Sequence, residues 1–264
     1  GVLRFWENSV NSNYHSLQLQ LDKRYSNGLA FNANYTLAKS LDTRSTWHSG
    51  ATSANRGQEG FSTDVNALFL DYGRSIFDAR HRFTANFIYE APFFRDSAGF
   101  AKIVLGGWQI NGVFSLQSGM PFTPHLSTSF AGGGDFNADG TGNDRTNIPS
   151  IGNTLSNATK DDFANGLFRG VAFPTPTLGT TGDLGRNTFE GPGFANFDFS
   201  LFKDFSLAGP LSEESKIQFR VEFFNLFNRV NFLQPEPRIN FAQFGRSTDT
   251  FDAREIQFGL KFIF

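Results

Sequence analysis

Arg254-Glu255-Ile256-Gln257-Phe258-Gly259-Leu260-Lys261-Phe262-Ile263-Phe264 closes the chain, and its side chains alternate. Ile256, Phe258, Leu260, Phe262 and Phe264 share one parity, while Glu255, Gln257, Gly259 and Lys261 share the other. Successive residues of an extended strand point to opposite faces, so this segment has one apolar face and one wet face. A half-buried strand of a water-soluble sandwich has that pattern. So does a strand of a transmembrane barrel, with lipid outside and water inside. The segment alone leaves both open.

Six earlier segments repeat the pattern. Over residues 14–22, Leu17, Leu19 and Leu21 alternate with Gln18 and Gln20. Ser26-Asn27-Gly28 follows, and Asn-Gly is a strong hairpin signal, so the next segment should pair with the first. That segment, 29–37, sets Leu29, Phe31, Ala33, Tyr35 and Leu37 against Ala30, Asn32, Asn34 and Thr36. Residues 80–90 set Phe83, Ala85, Phe87 and Tyr89 against Thr84, Asn86 and Ile88, and Pro92 stops the run. Trp108, Ile110, Gly112, Phe114 and Leu116 then oppose Gln109, Asn111, Val113 and Ser115. Residues 196–203 set Phe197, Phe199 and Leu201 against Asp198 and Ser200. Residues 216–225 set Ile217, Phe219, Val221 and Phe223 against Gln218, Arg220 and Glu222. The alternation blurs at Phe223-Phe224-Asn225-Leu226-Phe227-Asn228, which reads either as a bulge or as an aromatic strand end. Residues 1–13 carry Leu3, Phe5 and Trp6 without a firm pattern.

Of the outward positions so assigned, Gly112 alone is not apolar and none is charged. Of the inward ones, only Ala30, Ile88, Val113 and Ile263 are apolar. Connections also alternate in length: short after the first, third and fifth strands, long after the second, fourth and sixth. Short periplasmic turns and long extracellular loops are a property of membrane barrels, and a sandwich has no reason for them. The longest connection, residues 121–192, is rich in Gly, Asn, Thr and Pro, and 123–194 is expected to be an extracellular loop region. Aromatic girdles are expected at both rims, Tyr25, Phe93, Phe94, Trp108, Phe205 and Phe264 at one, Phe122, Phe194 and Phe232 at the other. Seven strands is an odd number, and an isolated set would leave two unpaired edges in lipid, so a larger barrel is expected.

Composition narrows the class further. The chain has 34 Phe, 27 Gly, one Met and no Cys, which favours strands, turns and loops and removes disulfides and thiolate metal sites. A net charge of −2 argues against a partner held through nucleic-acid phosphates. No apolar run reaches the length of a membrane helix. The sequence begins at Gly1 without a charged-then-apolar leader, which reads as a leader absent or lost upstream.

Several segments resemble the barrel of TonB-dependent receptors, most closely the Oar-like branch that carries a carboxypeptidase-regulatory-like domain. They are Asn13-Tyr14-His15-Ser16-Leu17-Gln18, the strand at 30–40, Asp78-Ala79-Arg80-His81-Arg82-Phe83, Gly107-Trp108-Gln109-Ile110-Asn111-Gly112, Gln117-Ser118-Gly119-Met120-Pro121-Phe122, Gly185-Arg186-Asn187, Gly191-Pro192-Gly193-Phe194 and Glu222-Phe223-Phe224-Asn225-Leu226-Phe227-Asn228. The resemblance spans nearly the whole chain. It implies a 22-stranded outer-membrane barrel with a plugged lumen that imports a scarce nutrient of siderophore, vitamin or glycan type, driven by TonB, ExbB and ExbD. The chain departs from that pattern in lacking a plug and a TonB box, and would correspond to the last third of the barrel. The resemblance also implies that Phe258, Leu260, Phe262 and Phe264 form the C-terminal signal read by the barrel-assembly machinery, through strand addition at an exposed edge.

Few residues point to other chemistry. Asp135, Asn137, Asp139 and Asp144, with Gly140 between, have the alternating oxygens and turn glycine of a calcium loop, although Thr146 stands where an EF-hand has Glu. A solvated loop rich in Asx turns explains the same residues. His15, His48, His81 and His125 show no ligand spacing, and Asp78, Arg80 and His81 read as a polar strand rim. Arg220, Glu222, Asp198 and Lys261 face the lumen, where they could pair with one another or meet a plug. The expectation is therefore an all-β, antiparallel transmembrane β-barrel fragment in the bacterial outer membrane. It is not an enzyme, has no catalytic residues, no nucleic-acid partner and no cofactor beyond a structural calcium, and has lipid as its neighbour. A passive porin-like channel and a secreted sandwich that binds glycans or acts as an adhesin are the alternatives.

Overall fold

The computed structural model describes residues 9–45, 63–64, 67–94, 99–126, 134–140, 142, 144–152, 155, 157–207 and 215–264. Leu3, Phe5, Trp6 and His48 lie outside them. In chain order the strands are β1 (Ser12–Ser26), β2 (Leu29–Asp42), β3 (Gly73–Arg74), β4 (His81–Glu90), β5 (Trp108–Gln117), β6 (Pro121–Phe122), β7 (Phe189–Glu190), β8 (Phe194–Ser206), β9 (Lys216–Phe224) and β10 (Glu255–Ile263). Two short helices, α1 (Gly99–Leu105) and α2 (Lys160–Asn165), and a 3-10 turn at Leu68–Asp71 complete the described elements.

All seven strands read from the alternation form, and they lie side by side in chain order as one antiparallel sheet, β1-β2-β4-β5-β8-β9-β10, with β3 added beside β2. The Asn27-Gly28 turn has φ of 52° and 77°, the paired positive values that match the twist of a two-residue hairpin. Strands run further than their alternation: β1, β2 and β8 have 15, 14 and 13 residues. Ladder bonds are made by backbone and continue past Lys23 and Lys39, where the apolar pattern has ended. These strands are longer than the roughly 9–11 tilted residues that a membrane strand needs.

Register fixes the two faces. Phe31, Phe87, Gly112, Phe199, Phe223 and Ile256 stand opposite one another in a row across six strands. Asp22, Asn32, Asn86, Val113 and Asp198 make a row on the reverse face. Each directly opposed apolar or aromatic pair adds a few tenths to about 1 kcal/mol. Gly112, the exception on the apolar face, is explained by its neighbours: a Cβ there would lie 2.7 Å from Phe87 Cζ and 2.8 Å from Phe197 Cε2. Phe114 stacks on Phe197 at 4.0 Å between ring centroids, so aromatic rings cover the bare glycine.

No second sheet packs on the apolar face among the described residues. Phe258, Leu260 and Phe262 are 69, 77 and 47% exposed. The sandwich alternative required them in a water-excluded core between two layers, which does not form. No described helix is long and apolar enough to cross a membrane, a statement that leaves strands untouched.

One open reading is settled and one expectation changes. The blurred stretch at 223–228 is a strand end: β9 stops at Phe224, and Asn225 and Asn228 take φ of 52° and 49° in the turn. Asn tolerates that region better than other side chains. The second aromatic girdle does not form as drawn. Phe122 is fully buried, Phe232 packs against the same cluster, and Phe194 lies on the polar face against Phe251 at 4.9 Å.

Candidate functional site

The described residues of the connections β5–β8 and β9–β10, together with 63–64 and 67–78, build a second body at one end of the wall. Its centre is apolar: Phe122, Phe163, Leu167, Phe168, Leu184 and Phe189 are buried together, with Phe173, Phe232 and Phe244 against them. Phe168 meets Phe189 edge-on at 4.9 Å and stacks on Phe244 at 5.1 Å. Fully burying one such ring is worth about 1.5–3 kcal/mol, which is how a region without regular structure holds a shape. The 123–194 region is thus largely a packed body, with β6 and β7 paired at its base.

Charged groups tie this body to the wall. Arg186 donates from Nη1 to Asp42 Oδ1 at 2.8 Å and to the Asp42 carbonyl at 2.8 Å, and from Nη2 to Ser45 Oγ at 2.8 Å. Asn187 donates to the Arg74 carbonyl at 2.7 Å and accepts from Thr123 Oγ1 at 3.0 Å. Within the body, Arg145 donates to the Leu70 carbonyl at 2.8 Å and lies 3.6 Å from Asp71. Burial holds the Arg145 guanidinium below its ordinary pKa, with Asp71 opposing that effect. Asp78 is buried, accepting from the Ser40 amide and from Arg74 Nε, each at 2.8 Å. It is an anchor between wall and body at the polar rim, where Arg80 and His81 beside it are exposed.

The body seats on the polar face. Along the end of β2, Ala38, Ser40 and Asp42 are buried, while Lys39 between them is exposed. Ala38, Ser40 and Asp42 share parity with Asn32 and Asn34, so the loops fold inward over the lumenal side of the wall and leave the apolar face bare.

His125 lies within this body, fully buried, with Nδ1 3.2 Å from the Thr123 carbonyl oxygen. Burial pushes its pKa down to about 4, with smaller effects from the Thr123 carbonyl, Glu236 and Arg238. Arg238 grips Glu236 with two hydrogen bonds, at 2.6 and 2.8 Å. His81 lies apart, its Nδ1 2.8 Å from Tyr35 Oη.

The residues of the acidic loop are brought together, and their oxygens are engaged by the loop's own amides. Asp135 accepts from the Asp139 and Gly140 amides, Asn137 Oδ1 from Asp139, and Asp144 Oδ2 from Phe136 and Asn137. The Asn137–Asp139 bond is an Asx turn, and the carboxylates of Asp135 and Asp144 close longer spans of the same loop. Burial raises the Asp144 pKa, the two amides lower it, and Asp139 and Asp135 add to the rise. Among the described residues no group of three or more His, Asp or Glu has the placement to hold a metal ion. Asn143 lies outside them.

On the lumenal face the charges do not pair as a set. Asp198 accepts from Asn196 and from the Asn225 amide, both at 2.8 Å, closing the turn after β9. Arg220 donates to Gln218 at 2.7 Å and lies over the Phe202 ring at 5.2 Å. Lys261 stands opposite Gln218, and Glu222 opposite Gln257.

Charges at outer-face parity fall only beyond the apolar run of their strands: Lys23 after Leu21, Lys39 after Leu37 and Lys203 after Leu201. Lys203 continues the parity of Phe197, Phe199 and Leu201, opposite Trp108 and Phe219. It is buried, with Nζ donating to the Gly106 carbonyl and lying 5.4 Å from the Trp108 ring centroid. The sequence signal was present in its parity, but ending the alternation at Leu201 hid it.

In β10, Phe258, Leu260 and Phe262 project from the apolar face, and Phe264, just past the strand, is 88% exposed. The strand pairs with β9 on one side and with no other described strand. No curated protein and no solved structure matches the chain. A family model described as an outer membrane beta barrel domain matches residues 1–257. The chain therefore belongs to the outer membrane β-barrel domain family, and its place is the bacterial outer membrane.

Proposed function

We propose that the chain is wall and extracellular loops of a TonB-dependent, Oar-like receptor that takes up a scarce nutrient of siderophore, vitamin or glycan type. In this reading the seven wall strands are part of a 22-stranded barrel whose plug and TonB box lie outside this sequence. The observation that carries it is the inward seat of the loop body. Ala38, Ser40 and Asp42 are covered on the lumenal side, so an ion-paired structure roofs the wall at the end of β2. A receptor that must recognise before it admits needs such a roof. The unpaired edges of β1 and β10 support the larger barrel, because open edges in hydrocarbon leave amides and carbonyls unsatisfied. A polar inner face of Asn, Gln, Thr and Ser suits a wet lumen around a plug.

The chain would contribute no catalysis and need no cofactor in this role. Its partners would be outer-membrane lipid on the apolar face, TonB-ExbB-ExbD through the plug segment, and the barrel-assembly machinery through Phe258, Leu260, Phe262 and Phe264. Planar-bilayer conductance of the full-length protein tests the reading without knowledge of the substrate. A plugged receptor is silent until urea loosens the plug, and falls silent again when the urea is removed. Steady open steps in plain buffer would instead identify a passive porin.

A further inference from the structure

We propose that helix α1 and the turn that leads from it into β5, residues 99–107, form an interfacial foot that lies in the headgroup region of the bilayer leaflet at the end of the wall opposite the loop body. With long loops outside the cell, that leaflet is the periplasmic one. The inference rests on the membrane placement of the wall.

Trp108 and Lys203 stand in the same outward row as Phe219 and Leu260. Leu260 is 77% exposed, as a lipid-facing side chain of a bare wall must be, yet Lys203 in the same row is 3% exposed. What covers it is the end of the α1 connection. Lys203 Nζ donates to the Gly106 carbonyl and lies against the Trp108 and Phe205 rings, and Trp108 Nε1 donates to the Val104 carbonyl at 3.0 Å. Two outward-facing side chains therefore hold the last turn of the helix and the residue just after it, which places this end of α1 on the lipid side of the sheet.

Its geometry is closed. The Gly106 amide donates to the Lys102 carbonyl at 3.1 Å, and a Cβ on Gly106 would stand 2.9 Å from the Phe94 carbonyl oxygen. The helix end is thereby folded back onto the end of β4. On the helix, Phe100, Ile103 and Val104 are spaced i, i+3, i+4 and so share a face, and Phe100 and Ile103 are 79 and 59% exposed. Phe93 and Phe94 beside them are exposed too.

An apolar patch of this kind needs an occupant. The occupant argued here is phospholipid, because the patch is continuous, through Trp108 and Lys203, with a face that already meets lipid. An amphipathic element in that position settles roughly 5–10 Å into the headgroup boundary, with its cations toward phosphate. Lys102 supplies an exposed cation on the helix.

This chain contributes no cysteine, so a label introduced here is unique once any cysteine elsewhere in the full-length protein is replaced by serine. Phe100→Cys, Ile103→Cys, Val104→Cys, Lys102→Cys and Leu260→Cys would each carry an environment-sensitive fluorophore in the full-length protein. The vesicles would be phosphatidylethanolamine and phosphatidylglycerol, with nitroxide lipids or aqueous iodide as quenchers, and heat-modifiable gel migration confirming that each variant is folded. The expected result is blue-shifted emission at 100 and 103, quenched by nitroxide lipid several-fold more than the label at 102, which iodide reaches. Iodide quenching at 100, 103 and 104 alike, with Leu260→Cys still quenched by lipid, overturns the foot and leaves the wall in the membrane. Labels at 100 and 103 that neither quencher reaches also overturn it, since protein then covers the helix. Iodide quenching at Leu260→Cys would remove the membrane placement itself.

Discussion

The wall and the loop body are written for opposite solvents. In the wall, phenylalanine and leucine face out and asparagine and glutamine face in; in the body, phenylalanines fill the centre. Leu260 is 77% exposed, whereas Phe122 and Phe189 are fully buried. Charges follow the same inversion. Arg186 and Asp42 pair in a buried contact where the body meets the wall, and the outer face of the wall carries Lys203 only under the cover of Gly106 and Trp108. A side chain's exposure thus marks opposite things in the two regions, and substitutions should separate them.

The largest separation is expected from Arg186→Ala. It strands the Asp42 carboxylate in a buried site and should cost the body about 3–5 kcal/mol. Amide exchange should show protection lost across 118–193 while β8, β9 and β10 keep theirs. Equal loss in both would mean that wall and body are one cooperative unit.

Leu260→Arg reverses the target. A cation near the middle of the lipid face is expected to cost the barrel about 2–4 kcal/mol in urea unfolding from vesicles. Lys261→Gln, one residue on and facing the lumen, should cost little. If the two substitutions cost the same, the apolar face does not meet lipid.

Acid should act on the body alone. Folding holds His125 neutral, with its pKa lowered from 6.5 to about 4, so between those values the unfolded chain binds more protons than the folded one. Stability therefore falls as pH drops from about 6.5 toward 4 and levels off below, by an amount on the order of 3 kcal/mol. His125→Gln should flatten the body's pH profile in that window and leave the wall's unchanged.

The smallest effect is expected from calcium. Because the oxygens of Asp135, Asn137 and Asp144 already accept loop amides, millimolar calcium should leave the melting temperature of the body unchanged. A rise of several degrees, abolished by Asp139→Asn, would restore the calcium loop.

How much of this was legible in the sequence follows from the same inversion. The wall strands declare themselves because period two is a local signal, repeated within each strand. Their ends do not, since Lys39 or Lys23 can occupy a backbone-paired position without any apolar alternation to mark it. The body was illegible for a different reason. Phe122, Phe163, Phe168 and Phe189 sit singly in Gly- and Thr-rich sequence, and only packing brings them together. Arg186 and Asp42 are 144 residues apart, so no spacing rule could join them, although Gly185-Arg186-Asn187 was among the segments resembling a known family. Lys203 is the instructive miss: its parity was correct, and only its partners at Gly106 and Trp108 explain how a charge is kept there.

The central claim, that one face of the wall meets lipid and the other water, is tested most directly by spin labels placed one at a time along β10, from Glu255 to Ile263, in the full-length protein in vesicles. Collision with oxygen, which concentrates in lipid, should peak at 256, 258, 260 and 262. Collision with an aqueous nickel chelate should peak at 257, 259 and 261, out of phase by one residue. A strand equally open to the chelate at every position, or closed to both reagents at 258 and 260, would contradict the account.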